Sequence, residues 1–267
     1  MTKQPHIKVS VVTTVFNGIE FLAETVESVL QQTFEDFEYI IVDDGSTDET
    51  LKYLEGLKDT RIKIISLPHS GRGVALNTGL KNANSELIAI LDADDIASKD
   101  RLFVQYNFMI EHPEISVLSS KCTVNKSKIF ENINPESYRS NELNLVEFIK
   151  HNPVCHSSSI IRLSALRDVG NYDVSRTVLF DYDLWIKLVI RKHVFVKIHL
   201  PLVFKRIHSN QSFERKNRLH YLIEATKLKY KVKQYSNKDF REYSYIFFSF
   251  FYGLIPISIR KKLIGRL

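Results

Sequence analysis

Three carboxylates lie within four positions at the end of one short apolar segment. Residues 87–91 (LIAIL) lead directly into Asp92, Asp94 and Asp95. A run this short and apolar predicts a buried strand, and in a parallel sheet ligands bind beyond the carboxyl ends of the strands. Because like charges this close raise one another's energy unless a cation lies between them, we expect Asp92 and Asp94 to hold a divalent metal ion, with a phosphate on its far side.

A second segment has the same layout. Residues 42–48 (VDDGSTD) place acidic residues after a predicted strand, followed by a turn at Gly45 and a helix that Ser46 or Thr47 can cap. Taken alone, this pattern fits a capped helix as well as it fits a binding site. Residues 14–17 (TVFN) end a third predicted strand, and three such ends in one sheet favour a site.

The elements that position these residues alternate along the first 120 residues. The pattern predicts strands at 9–14, 39–42, 62–67 and 87–91 and helices near 21–30, 47–57, 74–83 and 99–111. This alternation predicts an α/β fold with a doubly wound, mostly parallel sheet. Further on, the pattern predicts a hairpin at 122–130, helices at 142–150 and 183–191, and strands at 158–161, 194–198 and 202–207. We interpret this half as completing the sheet and forming the second wall of a cleft.

The positive charge is concentrated near the C-terminus. The 267 residues carry a formal net charge of +6, and residues 205–267 contain 15 Lys and Arg against 4 Asp and Glu. Such a segment can bind nucleic acid or anionic lipid, but no nucleic-acid-binding module accompanies it, so no nucleic-acid partner is expected. The two cysteines, Cys122 and Cys155, are too few for a disulfide framework and favour a reducing compartment or core packing.

Five motifs together resemble those of family 2 glycosyltransferases, which have the A-type nucleotide-sugar-binding fold. They are residues 13–17 (TTVFN), 42–46 (VDDGS), 71–73 (GRG) with Asn77, 91–95 (LDADD) and 181–185 (DYDLW). The resemblance covers about residues 7–212. One DxD motif is weak evidence, whereas five motifs in order are strong evidence.

The resemblance implies a nucleotide-binding set. Thr14 and Phe16 would contact the edge and the face of the nucleobase, and Asp44 would accept the imide hydrogen of uracil, a role suited to an ionised carboxylate. Arg72 would approach the base or the diphosphate with its planar charged fork; the alternative is a solvated loop arginine. Asp92 would bind the ribose hydroxyls or share the metal.

The resemblance also implies a metal set. Asp94 would be the main carboxylate ligand beside Asp92, and His208 lies where some relatives supply a metal or phosphate contact. Oxygen ligands beside a diphosphate favour Mn²⁺ or Mg²⁺, and the bound cation would stabilise the departing nucleoside diphosphate. Asp95 is expected to point away or to cap the next segment.

The transfer needs a base that takes the proton of the acceptor hydroxyl. In the family this base is the aspartate of a Glu-Asp pair. The matching pair here is Phe180-Asp181, so the aspartate is present and phenylalanine replaces the glutamate. Asp181 is therefore the predicted catalytic base, with Asp183, structural in the family pattern, as its rival. A helix N-cap role for Asp181 is compatible with catalysis.

Two residues are candidates for the acceptor side. His156 lies in a segment that lines the acceptor side in the family, although a lone histidine is more often structural. Trp185 lies among apolar residues at helical spacing, a pattern more typical of a core than of a sugar platform.

The C-terminal segment predicts contact with a membrane surface. Residues 243–259 (YSYIFFSFFYGLIPISI) are followed by Arg260, Lys261 and Lys262. These 17 residues fall short of the roughly 20 that a span needs, and they fit an interfacial helix with aromatic anchors and basic flanks better. We expect peripheral membrane contact through residues 219–267. The alternatives are a helix packed on the catalytic domain and a homodimer contact.

We therefore predict a catalytic domain at 1–212, with a nucleotide-binding half at 1–115 and an acceptor-binding half at 116–212, and a helical basic tail at 213–267. The resemblance and the tail together imply a metal-dependent, inverting, non-processive transfer of one sugar. The donor would be a nucleotide sugar, preferably a UDP-sugar, and the acceptor a saccharide or lipid-linked saccharide in bacterial surface polysaccharide synthesis. The expected location is cytoplasmic, with peripheral contact at the inner face of the membrane.

Two other functions stay open. A sugar-phosphate nucleotidyltransferase shares the α/β layout and the metal, but it should carry a Gly-rich phosphate loop after the first strand, which residues 14–17 do not provide. A non-catalytic nucleotide-sugar-binding module is indicated only by Phe180.

Overall fold

Strands and helices alternate through the N-terminal half, as the sequence predicts. The computed structural model describes residues 7–129, 138–208, 218–236 and 240–255. The first elements are β1 (Val9–Val15), α1 (Ile19–Leu30), β2 (Phe37–Asp43), α2 (Thr50–Glu55), β3 (Ile62–Ser66), α3 (Arg72–Lys81), β4 (Leu87–Ile90), β5 (Ile96–Ala97) and α4 (Arg101–Glu111).

Two features predicted for the second half are wrong. Its elements are β6 (Ile115–Thr123), a 3₁₀ turn (Lys126–Ile129), β7 (Ser140–Glu142), α5 (Leu145–Lys150), a 3₁₀ turn (His156–Ser158), β8 (Ile160–Arg162), α6 (Leu163–Asp168), α7 (Phe180–Ile190), β9 (Val194–Phe204), α8 (Arg218–Lys233) and α9 (Phe240–Leu254). The hairpin predicted at 122–130 is wrong up to residue 129, because β6 continues into it and a 3₁₀ turn follows; residue 130 lies outside the described residues. The two strands predicted at 194–207 are one strand, and its ladder with β6 shifts register around Lys121.

Among the described residues, nine strands form one mixed sheet in the order β3-β2-β1-β4-β8-β6-β9-β5, with β7 paired to β9. β1 pairs in parallel with both β2 and β4, and β6 pairs in parallel with β9. The predicted α/β fold with a mostly parallel sheet is confirmed. The chain winds from β1 outward to β3 and then returns to place β4 on the other side of β1. This reversal opens a crevice at the carboxyl ends of these strands.

Two apolar layers cover the faces of the sheet. Successive residues of β2 enter opposite layers: Ile40 and Val42 belong to the layer that contains Leu76 of α3, and Tyr39 and Ile41 belong to the layer that contains Leu22 of α1. All residues of β2 are buried, as expected for a strand covered on both faces. The sheet is therefore held rigidly, and its strand ends are fixed in position.

The C-terminal helices pack on the domain. Leu228 and Val232 of α8 and Ile246 of α9 are buried in the same core cluster as Phe148 of α5 and Tyr182 of α7. In the described part of the chain, no helix combines the length and apolarity required to cross a membrane. The predicted boundary between 212 and 213 and the basic residues 260–262 lie outside the described residues.

A disulfide corrects the expectation for the cysteines. Cys122 at the end of β6 and Cys155, just before the second 3₁₀ turn, are bonded, with Cα atoms 6.5 Å apart and a sequence separation of 33. They meet because β6 pairs with β8, which follows Cys155 by a few residues. The bond ties the segment that carries His156 to the sheet.

Candidate active site

The three predicted motifs converge at adjacent strand ends. Phe16, Asp44 and Asp92 follow β1, β2 and β4, which are neighbours in the sheet. The hydroxyl of Thr13 donates to the carbonyl of Leu91 at 2.8 Å, which ties the ends of β1 and β4 together. Thr14 is half-buried and pairs with Val42 beside this crevice.

Asp44 holds the loop that precedes α3. Its Oδ1 accepts a hydrogen bond from the backbone N–H of Ser70 at 2.8 Å, and its Oδ2 accepts one from that of Gly71 at 3.0 Å. Gly71 has φ +94°, a left-handed conformation that glycine adopts without strain. This turn sets the start of α3 and thereby the position of Arg72.

An exposed aromatic pair lies beside Asp44. The rings of Phe16 and His69 are stacked, with centroids 4.2 Å apart and planes 28° from parallel. Nδ1 of His69 lies 3.1 Å from Oδ2 of Asp44. Phe16 is 46% exposed, so a flat face is available to a planar ligand next to a carboxylate.

Arg72 and His156 both contact Asp92. The guanidinium of Arg72 donates to its Oδ1, and Nδ1 of His156 lies 3.2 Å from the same oxygen. Burial by itself would raise the pKa of Asp92, but the charge of Arg72 and the hydrogen bond of His156 outweigh burial and hold that pKa well below its usual range. Asp92 is therefore ionised and firmly oriented.

His208 reaches Asp94 from the segment after β9. Its Nε2 lies 2.9 Å from Oδ2 of Asp94, and its ring packs against Phe21 of α1 at a centroid distance of 4.6 Å. The backbone carbonyl of Asp94 accepts a hydrogen bond from Nε of Arg206 at 3.1 Å. Asp94 and His208, which the resemblance assigns to one metal site, are therefore in contact.

Asp92, Asp94 and Asp95 form an acidic cluster. One carboxylate oxygen from each lies within 4.8 Å of the others. Asp95 was expected to point away or to cap the next segment, but it belongs to the cluster, and its Oδ1 accepts a hydrogen bond from the backbone N–H of Arg206 at 3.0 Å. Burial and the charges of Asp92 and Asp94 raise the pKa of Asp95 to about 7. Three oxygen ligands whose mutual repulsion a cation would relieve fit a divalent metal ion.

Asp181 lies in the first turn of α7, across the crevice from the acidic cluster. Leu179, the residue before the helix, has φ +57°, a left-handed conformation that is costly for leucine and turns the chain sharply into α7. Nδ2 of Asn152 donates to Oδ2 of Asp181 at 2.9 Å. The predicted base is therefore oriented by an amide that the sequence analysis did not select.

The ring of Phe180 also contacts the guanidinium of Arg72. The guanidinium carbon of Arg72 lies 4.6 Å from the centroid of the Phe180 ring, and the charge of Asp181 also acts on Arg72. Arg72 therefore lies between the acidic cluster and the predicted base. The alternative interpretation of Arg72, a loop arginine that contacts only solvent, is therefore wrong.

His156 and Trp185 are both buried. His156 is buried and joins Asp92 to Tyr172, whose hydroxyl lies 2.9 Å from Nε2 of the histidine. Trp185 is fully buried and packs edge-on against Phe195. The expectation that Trp185 contacts the acceptor is corrected, because a fully buried ring on the core face of α7 offers no surface to a ligand.

The sequence profile of glycosyl transferase family 2 matches residues 10–170. The chain belongs to this family. A protein of Methanocaldococcus jannaschii named uncharacterized glycosyltransferase MJ1057 is 32% identical over 255 residues, which are 92% of this chain and 86% of that protein.

Two solved structures share the fold of this family 2 glycosyltransferase. The crystal structure of S. aureus TarS 1–349 in complex with UDP-GlcNAc has a TM-score of 0.67 and 21% identity, over 90% of this chain and 70% of that chain. The mannosyltransferase PcManGT from Pyrobaculum calidifontis, in complex with GDP-Man and Mn²⁺, has a TM-score of 0.65 and 17% identity, over 92% of this chain and 68% of that chain. At these identities the similarity establishes the A-type fold.

The glycosyltransferase fold gathers all but one of the predicted site residues around one crevice. Those gathered are Thr14, Phe16, Asp44, Arg72, Asp92, Asp94, His156, Asp181 and His208. Sequence reasoning missed His69, Asn152 and Tyr172. Two of these carry a local signal, since His69 lies just before the GRG motif and Asn152 just before Pro153.

Proposed function

We propose that the protein transfers one sugar from a nucleotide sugar, a UDP-sugar, to a hydroxyl group of a saccharide or lipid-linked saccharide acceptor, with inversion at the anomeric carbon. The observation that carries this proposal is the position of Arg72. One guanidinium contacts Asp92 of the acidic cluster and lies over Phe180, next to Asp181. The charge of Arg72 therefore acts both on the acidic cluster that would bind the metal and on the aspartate that would accept the proton.

The donor would enter along the strand ends. The exposed face of Phe16 offers a stacking surface for the base. A uracil imide would take the position of the His69 imidazole at Oδ2 of Asp44, while the amide of Ser70 holds Oδ1 and that of Gly71 also donates to Oδ2. Thr14 would contact the edge of the base, and Asp92 the ribose.

Asp92, Asp94 and His208 would hold Mn²⁺ or Mg²⁺, and the bound cation would stabilise the charge that develops on the diphosphate oxygens. Arg72 adds a second positive charge on the same side. Both charges favour departure of the nucleoside diphosphate.

Asp181 would act as the base. As the acceptor oxygen attacks the anomeric carbon, its proton passes to the carboxylate of Asp181, and the bond between that carbon and the diphosphate oxygen breaks. Asn152 keeps one oxygen of Asp181 engaged at 2.9 Å, which leaves the other for the proton. A single displacement of this kind inverts the anomeric centre.

The test is release of UDP from a panel of UDP-sugars, with and without Mn²⁺, and with saccharide acceptors added. We expect Asp181→Asn to lower kcat about 10²- to 10⁴-fold with donor binding unchanged, while Asp168→Asn, at an exposed site, keeps full activity. A mutant Asp181→Asn as active as the wild type would remove Asp181 from the base role. A wild type that binds UDP-sugars but turns over none would favour the binding module, and transfer of a nucleotidyl group would favour the nucleotidyltransferase.

We also propose that the C-terminal helices touch an anionic membrane surface. Several aromatic side chains of α9 are exposed, namely Phe240, Tyr243, Tyr245, Phe247, Phe248, Phe251 and Tyr252. Exposed lysines of α8, such as Lys227 and Lys231, add positive charge near this face. Aromatic side chains beside basic ones suit an interface with anionic lipid.

Co-sedimentation with vesicles tests the membrane proposal. We expect the wild type to sediment with phosphatidylglycerol-containing vesicles more than with neutral ones, and the combined change Phe247→Ser and Phe248→Ser to abolish this. Phe103→Ser, at an exposed position on α4, is the matched control. If the wild type does not sediment with the phosphatidylglycerol-containing vesicles, the membrane proposal is wrong.

A further inference from the structure

A second cavity lies behind Asp181, between the catalytic domain and the C-terminal helices. Its volume is about 200 Å³. The wall includes His151 and Asn152 after α5, Tyr182 of α7, Leu222 and Lys229 of α8, and Phe250 of α9. The wall thus contains both apolar and polar side chains.

Lys229 is the buried cation of this cavity. It is only 9% exposed, and its Nζ donates to the carbonyl of Lys150 at 3.0 Å and to the hydroxyl of Ser249 at 2.9 Å. An ammonium group has three donors, and both of these partners are neutral. Burial lowers the pKa of Lys229.

Within the described residues, Lys229 forms no ion pair with an acidic side chain. Lys233 lies one turn further along α8 and provides the contrast. It is 3% exposed and pairs with buried Glu242 at 2.8 Å. A buried ion without a counter-ion costs free energy, and an anionic ligand at Lys229 would supply the missing charge.

The cavity adjoins the predicted base. Asn152 lines the cavity and donates to Oδ2 of Asp181, and Tyr182 of its wall directly follows Asp181 in sequence. Asn152 is therefore shared by the cavity that contains Lys229 and by the predicted base.

We propose that this cavity binds an anionic group of the acceptor, a phosphate or a carboxylate, through Lys229. The inference rests on the proposed function and deepens it, since it assigns the acceptor to the class of anionic saccharides or sugar phosphates. Neutral saccharides lack the charge that Lys229 recognises.

Calorimetric titration with three small probes tests this. Inorganic phosphate and glucuronate represent the two anionic groups, and glucose is the neutral counterpart of glucuronate. We expect at least one anion to bind the wild type and Lys231→Met alike, and to bind Lys229→Met at least tenfold more weakly, with no measurable binding of glucose. Lys231 is the control because it is an exposed lysine of the same helix.

Stability measurements show whether Lys229 lacks a counter-ion. Lys229→Met should keep or raise Tm, because it removes an unpaired buried charge, whereas Lys233→Met should lower Tm, because it leaves Glu242 unpaired. A second variant, Thr226→Asp, places a carboxylate in the same wall. It should also abolish anion binding while keeping the fold.

Equal binding of the anions to the wild type and Lys229→Met, or binding of neither anion to the wild type, would overturn the proposal. Hydrolysis of the UDP-sugar should be the same in the wild type and Lys229→Met. If the protein turns over the donor but binds the anions equally well without Lys229, only the assignment of an anionic acceptor fails. If the anions bind through Lys229 and no donor is turned over, the proposed transferase function fails instead.

Discussion

The guanidinium of Arg72 lies over the ring of Phe180, with Cζ 4.6 Å from the ring centroid, and it also donates a hydrogen bond to Asp92. Where the family pattern has an acidic residue before the catalytic aspartate, this chain thus has an aromatic ring that holds the arginine by a cation–π contact. An acidic side chain at 180 would instead compete with Asp92 for the guanidinium. The substitution therefore leaves Arg72 directed at the acidic cluster.

Replacing Phe180 should weaken catalysis without unfolding the protein. Phe180→Leu removes a cation–π contact worth about 0.5–2 kcal/mol, so we expect kcat/KM for the donor to fall by about 2- to 30-fold. Steady-state kinetics with a UDP-sugar measure the change. Phe34→Leu, at another half-buried aromatic that packs on Tyr106, should leave kcat/KM unaltered; an equal loss in both variants would contradict the role of Phe180.

Asn152 should act through the orientation of Asp181. Asn152→Ala removes the 2.9 Å hydrogen bond, worth about 1.5–3 kcal/mol when one partner is charged, so kcat should fall by about 10- to 100-fold. Because Asn152 lies on the base side of the crevice, the KM for the donor should stay the same. Asn82→Ala, at the end of α3, is the control. A change in donor KM with normal kcat would place Asn152 in donor binding instead.

Loss of one acidic ligand should remove both metal binding and turnover. Asp94→Asn leaves an amide in place of a charged oxygen ligand, and Mn²⁺ affinity measured by electron paramagnetic resonance should fall by at least tenfold. Chelation of the wild type should abolish turnover, and added Mn²⁺ should restore it. Asp36→Asn, at an exposed site, should behave as the wild type. Full activity after exhaustive chelation would contradict metal dependence.

Reduction of the disulfide should destabilise the domain. Closing a loop with a sequence separation of 33 lowers the entropy of the unfolded chain, which raises the free energy of unfolding by about 3–4 kcal/mol in the chain-entropy treatment. The free energies of unfolding measured in denaturant with and without dithiothreitol should therefore differ by that amount. The double variant Cys122→Ser, Cys155→Ser should have the same free energy of unfolding as the reduced wild type. Equal free energies of unfolding in the oxidised and reduced protein would show that the bond adds nothing.

The strand-end motifs could be predicted because their signals are local. The apolar run before Asp92 and the one before Asp43 and Asp44 are each contained within a few residues, and alternation of such runs with helices places their ends at one edge of the sheet. The replacement of glutamate by Phe180 was also visible in the sequence. Its contact with Arg72 was not, because it joins α3 to α7 across the crevice.

Tertiary structure decided everything that depends on which elements become neighbours. Helical spacing shows that Trp185 lies on an apolar face of α7, but only the packing of Phe195 against it shows that this face is core. The same holds for the disulfide, which needs β6 beside β8, and for the cavity at Lys229, which needs α8 and α9 against α5 and α7. Sequence by itself determined the fold class and the acidic strand ends, because backbone preference and apolar periodicity act between residues close in the chain. The partners of Arg72, Asp181 and Lys229 were decided by contacts between distant segments, which no local pattern encodes.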